Sequence, residues 1–253
     1  VKKYVLLLLC CLPFTAVSQE VKKAWSGDSE LSYIQKSGNT VSSALLAKQT
    51  LVYDVRPWRN TLKIEAANVS SETTDAVTGL KDTERTSERY YISEQIDRFI
   101  TEKSYAFLRA TYERDRFGGI DTQITSVIGY GRTLFDTEVF DMKTEVGYGR
   151  SSQKVDECNS TSTFCSLKTD TSQLIYASEN LAWQMSKMAE LGQDLSIEHT
   201  EDNIVGRFGV YAKSELISSI AMKVGYFLKY TDEVPRTKKH TDEELTVSLV
   251  YSF

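Results

Sequence analysis

The sequence predicts an all-β chain that closes as an up-and-down, antiparallel transmembrane β-barrel of about twelve strands, with both termini on the periplasmic side. Three observations predict it. From Trp25 onward apolar and polar residues alternate with period two, which is the side-chain period of a strand and not of a helix. Many of the alternating runs exceed the roughly five or six residues usual in globular sheets and match the roughly nine to eleven tilted residues that cross a bilayer. The connections alternate short and long, as the two ends of an outer-membrane barrel do.

Before the barrel, residues 1–18 have the three parts of a secretory signal peptide. Lys2 and Lys3 are the positive start, Tyr4 to Leu12 the apolar run, and Ala16-Val17-Ser18 the small-residue cleavage site. The run is shorter than the about 20 residues a spanning helix needs. Cys10 and Cys11 lie inside it with no small residue before them, so no lipid-anchored cysteine is expected. Residues 19–253 then form one domain. The formal charge of −5 becomes more negative once Lys2 and Lys3 are removed, which argues against nucleic acid as a partner, since phosphates call for excess Lys and Arg.

Strands are expected at 25–34, 41–55, 60–70, 86–99, 104–116, 122–134, 139–151, 170–182, 190–199, 204–216, 219–230 and 243–253. The last is the clearest: Leu245, Val247, Leu249, Tyr251 and Phe253 on one side, Thr246, Ser248 and Ser252 on the other. Before it, Ile220, Met222, Val224, Tyr226, Leu228 and Tyr230 alternate with Ala221, Lys223, Gly225, Phe227 and Lys229. A helix would put Lys223 and Phe227 on one face. Phe140, Met142, Val146 and Tyr148 alternate with charged or small residues, as do Leu108 and Tyr112, and Leu62 and Ile64. Alternation alone leaves open which row faces outward, and a secreted sandwich would share it. The even count puts short turns such as Arg56-Pro57-Trp58-Arg59 and Trp183 to Ala189 on the periplasmic side. It puts the long connections 71–85, 152–169 and 231–242 outside. Pro57 and Pro235 fall in turns, so no strand lacks a ladder donor for want of an N–H. Trp25, Tyr33, Tyr53, Trp58, Tyr90, Tyr91, Phe99, Tyr105, Tyr230, Tyr251 and Phe253 gather near strand ends, as interfacial girdles would.

The charged row supplies the candidate lumen residues: Lys63, Glu65, Arg109, Glu113, Lys143, Glu145, Arg207, Lys213, Glu215, Lys223 and Lys229. Their mixed signs point to a closed or narrow lumen, because an ion-selective pore would carry rings of one sign. Arg114, Asp115 and Arg116, before Gly118-Gly119, form a candidate outer-rim cluster. They read either as a charge-paired strand end or as a contact for lipopolysaccharide phosphate, which arginine binds bidentately. Cys158 and Cys165 in the loop 152–169 are expected to form a disulfide in an oxidising compartment. They fit no zinc spacing, so no metal and no cofactor are expected. His199 and His240 are the only histidines; Glu198 and Asp242 lie near them, but no spacing singles out a serine or threonine nucleophile, so no catalytic residue is assigned.

Several stretches carry a family resemblance. Trp25-x-Gly27 with Ser37-Gly38-Asn39-Thr40, then Tyr112-Glu113-Arg114-Asp115-Arg116-Phe117-Gly118-Gly119-Ile120, then Ile128-Gly129-Tyr130-Gly131-Arg132 and Val146-Gly147-Tyr148-Gly149-Arg150, resemble the bacterial family known as domain of unknown function 481, the salt-induced outer membrane proteins. The insertion around Cys158 and Cys165 is not part of that pattern. The ending Tyr251-Ser252-Phe253 resembles the terminal strand by which the barrel-assembly machinery reads its substrates. The resemblance implies a bacterial outer-membrane protein without an established chemistry: an envelope structural protein or narrow passive channel engaged under salt or osmotic stress. The alternatives are a binding protein for lipid, glycan or a partner through its outer loops, and, less favoured, an outer-membrane lipid hydrolase. Outer-membrane lipid and lipopolysaccharide are the expected surroundings, and a monomer is expected.

Overall fold

The computed structural model describes residues 24–37, 42–74, 81–115, 120–158, 165–233 and 239–253. The signal peptide expected at 1–18 and Arg116 lie outside the described residues. Twelve strands follow one another: β1 (Trp25–Ser37), β2 (Ser42–Val55), β3 (Trp58–Thr74), β4 (Lys81–Phe99), β5 (Ser104–Asp115), β6 (Ile120–Asp136), β7 (Phe140–Cys158), β8 (Cys165–Ser186), β9 (Ala189–Thr200), β10 (Ile204–Ile217), β11 (Ile220–Thr231) and β12 (Thr241–Ser252). Each pairs antiparallel with its neighbours in sequence, and β12 pairs with β1 from Asp28↔Ser252 to Ser37↔Glu243, so the sheet is a closed barrel. Phe253 extends that seam, exchanging backbone hydrogen bonds with Gly27 at 3.2 and 3.0 Å.

The register also settles which row faces out. Leu31, Leu45, Ile128, Val146, Ile175 and Leu249 are 53–65% exposed, whereas Leu46 is 0%, Asp97 1% and Glu145 8% exposed. Apolar side chains stand outside and charged ones inside, the reverse of a water-soluble sandwich and the arrangement a bilayer requires. Closure also leaves no strand edge with unpaired backbone groups in the hydrocarbon. Trp25, Trp58 and Trp183 are exposed at the short-turn end, where β1 begins and β12 ends.

Two sequence expectations are corrected. The connections 71–85 and 152–169 are not mostly loop: β3 and β4 pair out to Thr74↔Lys81, and β7 and β8 out to Cys158↔Cys165. Beyond the bilayer both faces of a strand are wet, so the apolar row disappears while the ladder hydrogen bonds continue. At about 3.3 Å per residue the 22 residues of β8 far exceed what an apolar band about 25 Å tall uses. The second correction concerns the aromatics. Tyr91 and Tyr105 line the lumen rather than a girdle, and Phe99 packs against an inner cluster, because all three occupy the inward parity of their strands.

Two apolar clusters lie within the barrel. Ile34, Ala44, Leu46 and Ala67 form one on β1–β3, and Tyr105, Phe107, Val127, Leu174 and Tyr176 the other on β5–β8. The second is made possible by the glycine-aromatic runs of β6 and β7. Gly131 stands opposite Tyr105 and Gly129 opposite Phe107. A Cβ on Gly131 would sit 2.3 Å from the Tyr105 ring, and one on Gly129 2.5 Å from that of Phe107. The missing side chains are the space into which the rings fold, while Tyr130 and Tyr148 face outward.

Candidate functional site

The interior holds a cavity of about 1250 Å³ lined by charged and polar side chains together with apolar ones such as Val52 and Phe227. Near the loop end, Glu113 on β5 lies 3.8 Å from Arg207 on β10 and 3.8 Å from Lys229 on β11. In a ring of twelve strands β5 and β11 are opposite walls, so these contacts cross the lumen. Arg207 is also held by Glu198 on β9 at 3.0 Å. A second crossing joins Arg89 on β4 to Glu244 on β12 at 2.5 Å.

Toward the short-turn end the wall is tied by a different cluster. Arg59 meets the buried Asp97 at 2.7 Å. Gln95 donates to Asp97 at 2.9 Å and to Glu145 at 2.8 Å. The Tyr105 hydroxyl donates to Glu145 at 2.9 Å, and Arg109 donates to the Tyr176 hydroxyl at 2.6 Å while standing 4.0 Å from Glu145. Arg56 stacks over the Phe99 ring, 3.4 Å from its centroid. On the remaining wall Lys223 binds Glu30, Lys48 lies 3.6 Å from Glu65, and Lys213 and the Tyr211 hydroxyl each reach Glu190 at 3.0 Å.

Of the residues singled out from sequence, Lys63, Glu65, Arg109, Glu113, Lys143, Glu145, Arg207, Lys223 and Lys229 line the cavity. Lys213 stands opposite Lys223 in the ladder and shares its inward face, and Glu215, two positions further, is exposed at the short-turn end. The structure gathers Glu113, Arg207 and Lys229 at one level and Arg109 and Glu145 at another. Among the described residues Lys143 pairs only with Asp141 on its own strand, at 3.2 Å. Lys63 has no ion pair among the described residues. Glu30, Lys48, Arg59, Arg89, Asp97, Glu190, Glu198 and Glu244 were missed. Their signal was available, since each has the inward parity of its strand.

The rim cluster is divided. Arg114 is half-buried on the outward face opposite Tyr90, Asp115 is described only as a backbone partner of Arg89, and Arg116 lies outside the described residues. His199 shares the outward face of its ladder partner Ile175, and His240 lies 2.9 Å from the Thr231 carbonyl and stacks on Tyr230. Cys158 and Cys165 are direct ladder partners at the end of the β7–β8 hairpin rather than loop residues; their side chains lie outside the described set. Among the described residues no group of His, Cys, Asp and Glu has the arrangement of a metal site.

Fixed charges of both signs, mostly paired and anchored to opposite walls, make a barrier whose parts neutralise one another. Such a lumen offers no ring of one sign to select an ion, and each pair is strengthened where water is excluded.

The profile of a family described as "Protein of unknown function, DUF481" matches residues 29–253. Among curated proteins, the uncharacterized protein YdiY of Escherichia coli (strain K12) is 29% identical over 236 residues, covering 91% of this chain and 84% of that one. Among solved structures, the translocator domain of the autotransporter NalP from Neisseria meningitidis aligns with TM-score 0.52 and 12% identity, over 92% of this chain and 90% of that one. The KdgM porin aligns with TM-score 0.49 and 7% identity, over 89% of this chain and 99% of that one. The fold is thus shared with a bacterial outer-membrane translocator barrel.

Proposed function

We propose a function on the premise that this chain belongs to the DUF481 family and is an outer-membrane β-barrel. It acts as a narrow passive pore whose lumen is held nearly shut by its own ion pairs, admitting water and small ions. The observation that carries this is Glu113, which spans the lumen to Arg207 and Lys229 on the far wall. The test is single-channel recording of the purified protein in planar bilayers. A small unitary conductance with weak cation–anion preference is expected, since both signs line the path. A large or strongly selective conductance would contradict the pore proposed, and silence both before and after removal of Glu113 would leave a purely structural barrel.

Two sequence readings join this proposal. Cys158 and Cys165 form a disulfide that staples the β7–β8 hairpin. Direct antiparallel partners have Cα atoms about 4.5 or 5.5 Å apart, inside the range of about 4.4–6.8 Å that a bridge spans. Secreted protein should therefore resist maleimide labelling until reduced; labelling before reduction would refute the bridge. Phe253 is the residue that the assembly machinery engages. Phe253→Ala should lower the amount of heat-shiftable barrel recovered from the outer membrane several-fold, and full recovery would remove that role.

A further inference from the structure

The outward surface is not uniform around the barrel. Among the described side chains, the outward rows of β9–β12 and β1–β3 carry no lysine or arginine, and their one acid is Glu243 near the outer end of β12. Every outward lysine and arginine stands on β4–β7. Arg98 and Arg132 lie toward the short-turn end, one and four positions from Phe99 and Asp136. The other three lie at the opposite end. Arg114 and Arg150 are each ten positions above the inner ends of their strands, Ser104 and Phe140, and about nine to eleven tilted residues cross a bilayer. Both therefore stand where the hydrocarbon of the outer leaflet meets its headgroups. Lys154, four positions beyond Arg150, stands in the headgroup layer itself.

These three cations form one patch. Glu113 pairs with Gln123, and Lys154 with Thr122, so Arg114 and Lys154 flank Thr122, about 10 Å apart at the usual spacing of strands. Arg150 lies about 13 Å from Lys154 along the same face of β7, at about 3.3 Å per residue. Arg150 and Lys154 are exposed, and neither has an ion pair or side-chain hydrogen bond to a described residue. The Tyr148 hydroxyl donates to Oε1 of Gln173, the ladder partner of Arg150, which leaves the Gln173 NH2 to donate beside that arginine. The nearest outward acids stand apart: Glu88 is on β4, across Arg114 from the other two cations, and Glu179 is level with Thr144, six positions below Arg150. Beneath the patch the wall is apolar, with Ile128, Val146 and Tyr148 53–65% exposed. The outer leaflet of an outer membrane is built of lipopolysaccharide, whose anchor carries a phosphate at each end of a disaccharide above several acyl chains. Arginine binds phosphate in a two-pronged contact, and clustered basic residues at a membrane surface recognise lipid headgroups. We infer that the outer end of β5–β7 is a binding site for one lipopolysaccharide molecule. Arg150 holds one phosphate, Arg114 and Lys154 the other, and the acyl chains lie along Ile128, Val146 and Tyr148. The site is on the outer wall, so it stands independently of what the lumen conducts.

The test is native mass spectrometry of the full barrel released from detergent and titrated with bisphosphorylated lipid A, with heat-shifted gel mobility as the check of folding. The wild type should retain one lipid A in preference to phosphatidylglycerol. Arg150→Gln should weaken retention about tenfold, the loss expected of one hydrogen bond to a charged group, and Arg150→Gln/Lys154→Gln should weaken it further. Arg132→Gln, which removes an outward cation at the other end of the barrel, should leave retention unchanged. Where Arg150→Gln fails to fold, Arg150→Lys serves in its place; it keeps the charge but not the two-pronged contact, and should weaken retention several-fold. Equal retention of phosphatidylglycerol would make the patch a general anionic surface and overturn the assignment. Arg150 and Lys154 variants that bind as the wild type does, or an equal loss in Arg132→Gln, would overturn it too.

Discussion

Glu113→Ala is expected to raise the unitary conductance several-fold and to lower the unfolding free energy by about 2–3 kcal/mol. Its carboxylate reaches across the lumen to 3.8 Å from both Arg207 and Lys229, which are ladder partners on the far wall. Without it Arg207 keeps Glu198 at 3.0 Å, Lys229 loses the carboxylate 3.8 Å away, and the two neighbouring cations repel one another. Removing one partner of a buried ion pair costs about 3–5 kcal/mol when the remaining charge stays dry. The side chains here keep 15–20% exposure, so part of that penalty is relieved by water and the lower figure applies. Glu113→Gln, which preserves volume and a hydrogen-bond acceptor, should lie between wild type and alanine in both measurements. Bilayer recordings give the conductance, and denaturant titration followed by the heat-shifted gel gives the stability. A conductance unchanged in both variants would place the barrier elsewhere, at the cluster around Arg59 and Asp97.

The second large effect is expected at a glycine. Gly131→Val should destabilise the barrel by about 3–5 kcal/mol, because its Cβ alone would fall 2.3 Å from the Tyr105 ring. Overpacking a closed site costs about 1–3 kcal/mol. Expelling the ring also breaks the Tyr105–Glu145 hydrogen bond, leaving that oxygen to Gln95 alone, and a hydrogen bond to a charged group is worth about 1.5–3 kcal/mol. Tyr105→Ala combined with Gly131→Val should recover part of the loss, since the added side chain then occupies the space of the ring. A double-mutant cycle isolates that coupling. Strict additivity of the two changes would show that the glycine does not exist for the ring's sake.

The twelve strands were legible because the membrane enforces period two wherever it is present, as at Leu245 to Phe253 and at Ile220 to Tyr230. The direction of the rows was not, since a row such as Phe107, Arg109, Thr111 and Glu113 mixes an aromatic ring with charges. Only closure of the sheet turns Phe107 inward and Leu108 outward. Strand ends were misjudged at Thr74, Lys81, Cys158 and Cys165, where serine, threonine and charge on both faces imitate a loop. Lumen charges could be chosen by parity, but their pairing could not. Glu113 meets Lys229 because β5 and β11 stand six places apart in a ring of twelve, and that depends on the number of strands, not on any local pattern.

The β1–β12 seam has a kinetic consequence. Eleven of the twelve strand pairings join neighbours in the chain and need only hairpins to form. The twelfth brings together residues as far apart as Asp28 and Ser252, 224 positions along the chain. Loop-closure entropy grows with the logarithm of that separation, so a free chain gains this contact after every local one, and it ceases to be an open sheet only at that step. Until then both edges expose unpaired donors and acceptors, the condition in which strands recruit one another. The rate of folding should therefore be set at one seam, and a factor that held the last strand near the first would speed it more than any improvement to the hairpins between.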